Sequence, residues 1–405
     1  MQNKKSFKLP VFILLALIIC GLFVYFVLPK INTQVLYNSE DPIVSGDKTL
    51  NNEAIEPIVP VADPSVINPM VVTHVSTPKQ VKAVYISAWV AGSPKFRDSI
   101  IKIIDETEIN AIVIDVKDST GRVSFEMPNS LIKDSGSVEK RIANIRSLTD
   151  TLHKKNIYII GRISVFQDPY MTKKNPSWSI TKKSDGTVWK DRKGLSFLDP
   201  AKKEVHDYIV AIGKGAYDEG FDELNFDYIR YPSDGNMKDI NYHLKEGETR
   251  SDNIEKFFKY LSLEIKKDAN IPMSADLFGL TTEVNDDMGI GQVWEKALPY
   301  FDYLSPMVYP SHYPAGHAGY KNPSNYPYEV INRALASAVK KTTAAGFDIS
   351  KIRPWLQDFD LGAVYTKEMV RAQIKAVYDN GLTSWMLWDP SNKYTPQALE
   401  LESAQ

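Results

Sequence analysis

Eight short apolar runs, each followed by a polar or amphipathic stretch, constrain this chain more than any other feature. They occupy residues 81–90, 111–117, 157–165, 223–229, 271–278, 303–309, 352–359 and 383–388, and are rich in Val, Ile, Tyr, Phe and Trp. Most are continuous rather than alternating, as parallel strands buried on both faces require. Helical spacing marks residues 96–105, 141–148, 201–217, 326–345 and 366–380, and a further helix opens at Ser251. Asp199-Pro200 reads as an N-cap followed by a first-turn proline. Gly220, Gly346 and Gly381 stand where helices end in a left-handed residue. The stretch after Asp286 suits only a short helix, and 396–403 suits a last one. Eight strands alternating with helices predict an α/β fold, a (β/α)8 TIM barrel over residues 80–405. The usual size of such a barrel is about 250 residues or more. An open doubly wound sheet would carry a glycine-rich phosphate turn after an early strand. The nearest approach, Gly289-Ile-Gly291, runs on to Trp294 without a third glycine.

The N-terminus differs in kind. Lys4, Lys5 and Lys8 precede an apolar run at 9–28, broken only by Pro10 and Gly21. At helical rise the run can cross a hydrocarbon core of about 30 Å, with the lysines kept on the cytoplasmic side. Residues 1–30 are therefore expected to be a cytoplasmic tip and transmembrane signal anchor, placing the rest in the extracytoplasmic space at the cell membrane. A cleaved signal peptide is the alternative, but Tyr25-Phe-Val-Leu-Pro29 offers no small-residue cleavage site. Residues 31–79 lack periodicity and are punctuated by Pro42, Pro57, Pro60, Pro64, Pro69 and Pro78, so they are expected to form a flexible, extended linker. A small extra β-domain is the other reading of that segment.

Composition narrows the chemistry. The net charge of −2 provides no global basic field for nucleic acid. The single cysteine, Cys20, lies inside the apolar run, so the exported part has neither disulfides nor a thiol nucleophile. No pair among the histidines at 74, 153, 206, 243, 312 and 317 has zinc-motif spacing, and there is no Gly-x-Ser-x-Gly elbow. Neither a metal nor a cofactor is expected.

Active sites of such barrels lie at the C-terminal ends of the strands. The polar residues expected there are Asp115, Lys117, Arg162, Asp227, Arg230, Asp276, Tyr309, His312, Trp355, Asp358, Trp388 and Asp389. Carboxylates, arginines and aromatic rings suit a sugar: rings pack on its apolar faces, and charged groups hold its hydroxyls. Glycoside hydrolysis requires two carboxyl groups, one to protonate the leaving oxygen and one to attack or to activate water. Asp227 and Asp276 each follow an apolar run on neighbouring strands and should reach one mouth. Asp227 also shares parity with Asn225 and Glu223, so all three should point inward. Asp115, Asp358 and Asp389 divide between substrate binding and structural pairing with Lys117, Arg162 or Arg230. The tryptophans divide between core and substrate contact.

The segment Phe226-Asp227-Tyr-Ile-Arg230-Tyr-Pro232 resembles the signature of a family of exported bacterial proteins named putative glycoside hydrolases, barrels distantly related to α-amylase-type enzymes. Val84-Tyr85-Ile-Ser-Ala-Trp89, residues 111–118 with Ser119-Thr-Gly-Arg-Val123, and Ser305-Pro-Met-Val-Tyr309-Pro310 are similar to further blocks of that family, and the resemblance spans roughly 80–395. It implies a nucleophile at Asp227. It also implies an acid/base on strand five, where amylase-like relatives carry Glu and this chain has Asp276, with Glu283 seven residues on. The expected function is cleavage of a polysaccharide or cell-envelope glycan outside the membrane, with Asp227 and Asp276 catalytic. Asp115, Lys117, Arg162, Arg230, Tyr309, His312, Trp355, Asp358 and Trp388 are the expected substrate-binding residues. The alternative is a catalytically silent barrel that binds glycan in surface or envelope assembly.

Overall fold

The structure, a computed structural model, describes residues 71–401. The expected anchor, and the linker up to residue 70, lie outside the described residues. Among the described residues no helix is long and apolar enough to cross a membrane.

Eight parallel strands close into a barrel: β1 (Lys82–Ile86), β2 (Ala111–Lys117), β3 (Tyr158–Ser164), β4 (Glu223–Asp227), β5 (Met273–Phe278), β6 (Tyr303–Met307), β7 (Trp355–Gln357) and β8 (Trp385–Trp388). They follow one another around the wall, and β1 closes it by pairing with β2 on one side and β8 on the other. The continuous apolar runs are explained by two burial layers. One face of each strand meets the surrounding helices, through Ile112, Ile114, Ile159, Ile163, Leu224 and Phe226. The other fills the barrel, through Ala83, Val113, Tyr158, Ile160, Trp355 and Met386. Each buried Val, Ile, Leu, Phe or Met among them contributes about 1.5–3 kcal/mol by leaving water.

Helix starts depart from the sequence reading in two places. The helix expected from Arg141 begins after Asn144, whose side chain accepts from the Ser147 N–H at 3.0 Å. Arg141 is instead held by Asp118 and Glu139 and stacks over Trp89 at 5.0 Å. Asp199 does not cap the next helix, Lys203–Asp218. Its carboxylate accepts from the Ala201 N–H and pairs with His243 Nδ1 at 2.6 Å, a long-range bond that displaces the local one. The helix Arg250–Ile265 opens with a reciprocal Thr249/Asp252 capping box. Gly220 has φ +99°, and a Cβ there would meet Thr149 Oγ1 at 2.7 Å, so both conformation and space demand glycine. Of the expected last helix, the described residues show one 3-10 turn, Pro396–Ala398.

Residues 71–79 form neither helix nor strand, yet they lie against the N-terminal, closed end of the barrel. His74 stacks on Tyr217 at 3.9 Å, the Val75 N–H donates to Asp222 Oδ1 at 2.7 Å, and Thr77 bonds the Tyr158 hydroxyl at 2.9 Å. At the mouth, Thr181–Lys182 pairs antiparallel with Ile240–Asn241, joining the loops that follow β3 and β4.

Candidate active site

The inward residues of β4 build a polar column down the barrel. Nearest the closed end, Glu223 receives two donors of Arg353 at 2.9–3.1 Å, the Ser274 hydroxyl at 2.6 Å and the Tyr158 hydroxyl at 3.1 Å. Midway, Asn225 Nδ2 donates to Asp276 Oδ1 at 2.8 Å. At the mouth, Asp227 Oδ2 receives Arg162 Nη2 at 2.5 Å and Nε at 3.1 Å, and Oδ1 receives the Tyr228 N–H at 2.6 Å. All three residues therefore point into the barrel, as their shared parity on β4 requires. The β4–β5 register pairs Asn225 with Ser274 and Phe226 with Ala275. Asp227 and Asp276 are the next residues on the two strands, and both line the same cavity.

Environment separates the two acids. Asp276 is 1% exposed. Burial first, and the negative charge of Asp227 second, push its pKa well above the usual carboxyl range. Trp355 Nε1, which can only donate, reaches Asp276 Oδ1 at 2.7 Å. With Asn225 on the same oxygen, a proton on Asp276 belongs on Oδ2. Asp227, by contrast, has the Arg162 guanidinium as its counter-ion. Arg162 also donates to Asp115 Oδ1 at 2.6 Å, and Asp115 Oδ2 receives the Tyr85 hydroxyl at 2.7 Å. Tyr85 stacks on Trp388 at 3.9 Å, and the guanidinium lies 5.0 Å from the Trp388 ring centroid. Burial raises Asp115 as well, against the pull of Arg162.

A cavity of about 320 Å³ opens on these groups, at the small end of ligand pockets. Among the residues named from sequence, Asp227, Asp276, Arg162, Arg230, Tyr309, His312, Trp355 and Trp388 line it. Tyr309 and His312 meet edge to face at 5.2 Å, and burial lowers the His312 pKa.

Three expected binding residues do not line the cavity. Asp115 lies behind Arg162 and orients it. Lys117 is fully buried, donating to the Ser164 carbonyl at 2.6 Å and pairing with Asp168 at 3.0 Å. The β2–β3 register shifts between Asp115 and Lys117, so Lys117 pairs with Ile163 of the outer layer and its side chain leaves the interior. Asp358 receives the N–H and hydroxyl of Thr395 at 2.8 and 2.7 Å and so ties down the loop after β8. Glu283, the other carboxylate near strand five, is engaged by Arg333 at 2.6 Å and His317 at 3.2 Å.

Tyr228, Phe278 and Met307, not singled out from sequence, also line the cavity, as does Tyr313 next to His312. Tyr228 carried a signal: it directly follows Asp227 inside the signature segment. Its φ of +53° is unusual for an aromatic residue, and this backbone turn aims its own N–H at the Asp227 carboxylate.

Residues 83–394 match the family described as "Putative glycosyl hydrolase domain". No curated protein matches the chain. A hypothetical protein from Ruminiclostridium thermocellum is 31% identical over 48% of this chain and 96% of its own, with a TM-score of 0.44. The PgaB (BpsB) glycoside hydrolase domain from Bordetella bronchiseptica is 11% identical over 80% of this chain and 99% of its own, with a TM-score of 0.60, a likeness of fold.

Proposed function

We propose a hydrolytic reading of this site, because the chain belongs to the family described as "Putative glycosyl hydrolase domain". The substrate is a polysaccharide or cell-envelope glycan, cleaved outside the cytoplasmic membrane. The observation that carries the reading is the pair of unlike carboxyls on one cavity: Asp227 ion-paired to Arg162, and Asp276 buried beside it with a raised pKa.

In this reading Asp227 attacks the anomeric carbon while Asp276 Oδ2 gives its proton to the departing glycosidic oxygen. The glycosyl ester on Asp227 is then hydrolysed by a water that loses its proton to Asp276. Asp and Asp on adjacent strands suit the short carboxyl separation of retaining enzymes, about 5–5.5 Å. Arg162 holds the nucleophile and opposes its protonation. Trp355, Trp388 and Tyr309 supply faces and edges for the sugar. One feature favours the silent glycan-binding alternative: strand five presents Asp276, a shorter acid than the Glu of amylase-like relatives.

The test is release of new reducing ends from envelope and exopolysaccharide fractions by the full-length protein. Asp227→Asn and Asp276→Asn should each lower turnover by about 10²–10⁴-fold while glycan binding persists. Binding without reducing ends in the wild type would select the alternative. The basic limb of the kcat/KM profile should lie above the usual carboxyl range, because Asp276 must keep its proton; a limb near pH 4–5 would remove Asp276 from the role. The location is checked by fractionation, with the full-length chain expected in the membrane and its barrel released by protease added outside.

A further inference from the structure

Three arginines are buried inside the barrel and at its mouth, and two of them have carboxylates. Arg353 has Glu223, and Arg162 has Asp227 and Asp115. Arg230 is 8% exposed and lines the cavity, yet among the described residues no carboxylate lies within ion-pair distance of it. Nη1 donates to the Tyr231 carbonyl at 3.0 Å and, at 3.4 Å, to the Ser233 hydroxyl. Nε and Nη2 make no hydrogen bond among the described residues, although a guanidinium has five donors to satisfy. Its Cζ lies over the Phe278 ring at 4.5 Å and over the Tyr228 ring at 5.2 Å. A buried cation without a counter-ion is costly unless something supplies the charge. Asp227, Asp234 and Asp191 attract it only from beyond ion-pair distance, Asp227 is already paired with Arg162, and Asp276 is held towards its neutral form.

We propose that Arg230 receives an anionic substituent of the substrate, so that the glycan bound in this cavity carries a carboxylate, phosphate or sulfate on the sugar next to the reacting carboxyls. This rests on the glycan reading of the site and names the class of glycan. The stacked guanidinium presents its free donors as a fixed fork, the arrangement that suits a two-oxygen anion.

The experiment is equilibrium binding to the full-length protein of glucuronate, glucose 6-phosphate, glucose 6-sulfate, glucose and glucosamine, in wild type and in Arg230→Gln and Arg230→Lys. At least one anionic probe should bind about tenfold or more tightly than glucose. The preferred probe identifies carboxylate, phosphate or sulfate. Arg230→Gln should erase the preference, weakening the anionic probe about tenfold or more relative to glucose, with Arg230→Lys intermediate. Equal binding of all probes, preference for glucosamine, or a preference that survives Arg230→Gln overturns the proposal. Should Arg230→Gln fail to fold, salt decides on the wild type. The anion preference should fall as NaCl rises, and one indifferent to salt overturns the proposal. Binding needs no turnover, so anion preference without any cleavage sinks the hydrolase and keeps this inference. Cleavage of neutral glycans without preference does the reverse.

Discussion

The two ends of the barrel interior each hold buried charge and treat it differently. At the closed end Glu223 and Arg353 match one to one. Glu223, Arg353, Ser274 and Tyr158 are fully enclosed there, and the Arg353 guanidinium lies 3.8 Å from the centroid of the half-buried Tyr303 ring. At the mouth one guanidinium, Arg162, serves two carboxylates, Asp276 sits beside them with its pKa raised, and among the described residues no carboxylate lies within ion-pair distance of Arg230. Balanced charge closes a structure. Unbalanced charge is held in place by that structure and left free to act on something else.

The comparison breaks first on a pair of isosteric changes. Glu223→Gln should strand Arg353 and cost about 3–5 kcal/mol of stability, whatever it does to specific activity of the folded fraction. Asp227→Asn leaves Arg162 with Asp115, so its unfolding midpoint in denaturant should move far less while turnover collapses. Equal destabilisation by the two would mean that Asp227 is a structural ion like Glu223.

Lys117 sharpens the boundary between the two kinds of charge. It was expected at the mouth but pairs with Asp168 outside the cavity, so Lys117→Met should cost about 3 kcal/mol by leaving a buried carboxylate unpaired. Its KM should match the wild type; a raised KM with unchanged stability would return Lys117 to the substrate.

The smallest effect concerns Asp358, which burial raises to about 6. A carboxyl whose folded pKa exceeds its unfolded value binds protons more tightly in the native state. Its contribution is therefore present at low pH and is lost as pH rises from about 4 to about 6. The stability advantage of wild type over Asp358→Asn should shrink across that window by roughly 1–3 kcal/mol in urea titrations. An advantage independent of pH would show that its bonds to Thr395 keep the carboxylate charged throughout.

The barrel was legible because burial on both strand faces writes itself as uninterrupted apolar runs, and because strand parity carries Glu223, Asn225 and Asp227 inward together. Lys117 misled because the register shift on β2 reverses parity after Asp115, and nothing local marks it. Glu223 and Arg353 stand 130 residues apart, so their pairing is a property of closure around the barrel. Asp199 looked like a helix cap because its true partner, His243, comes from the loop after the next strand. Arg230 was legible as a rim cation; its lack of a counter-ion emerges only once every neighbour is in place.

The short segment 71–79 acts as a latch on the floor of the barrel. Val75 packs beneath the interior cluster while its N–H is fastened to Asp222, which also holds the Ile159 N–H at 2.8 Å and His153 at 3.0 Å. Tension applied to the chain ahead of residue 71 is therefore taken up by the foundations of β3 and β4, at the end opposite the cavity. Those strands carry Arg162 and Asp227 in their C-terminal halves, nearer the cavity. A pull on residue 71 would thus act at the end of the barrel away from the cavity.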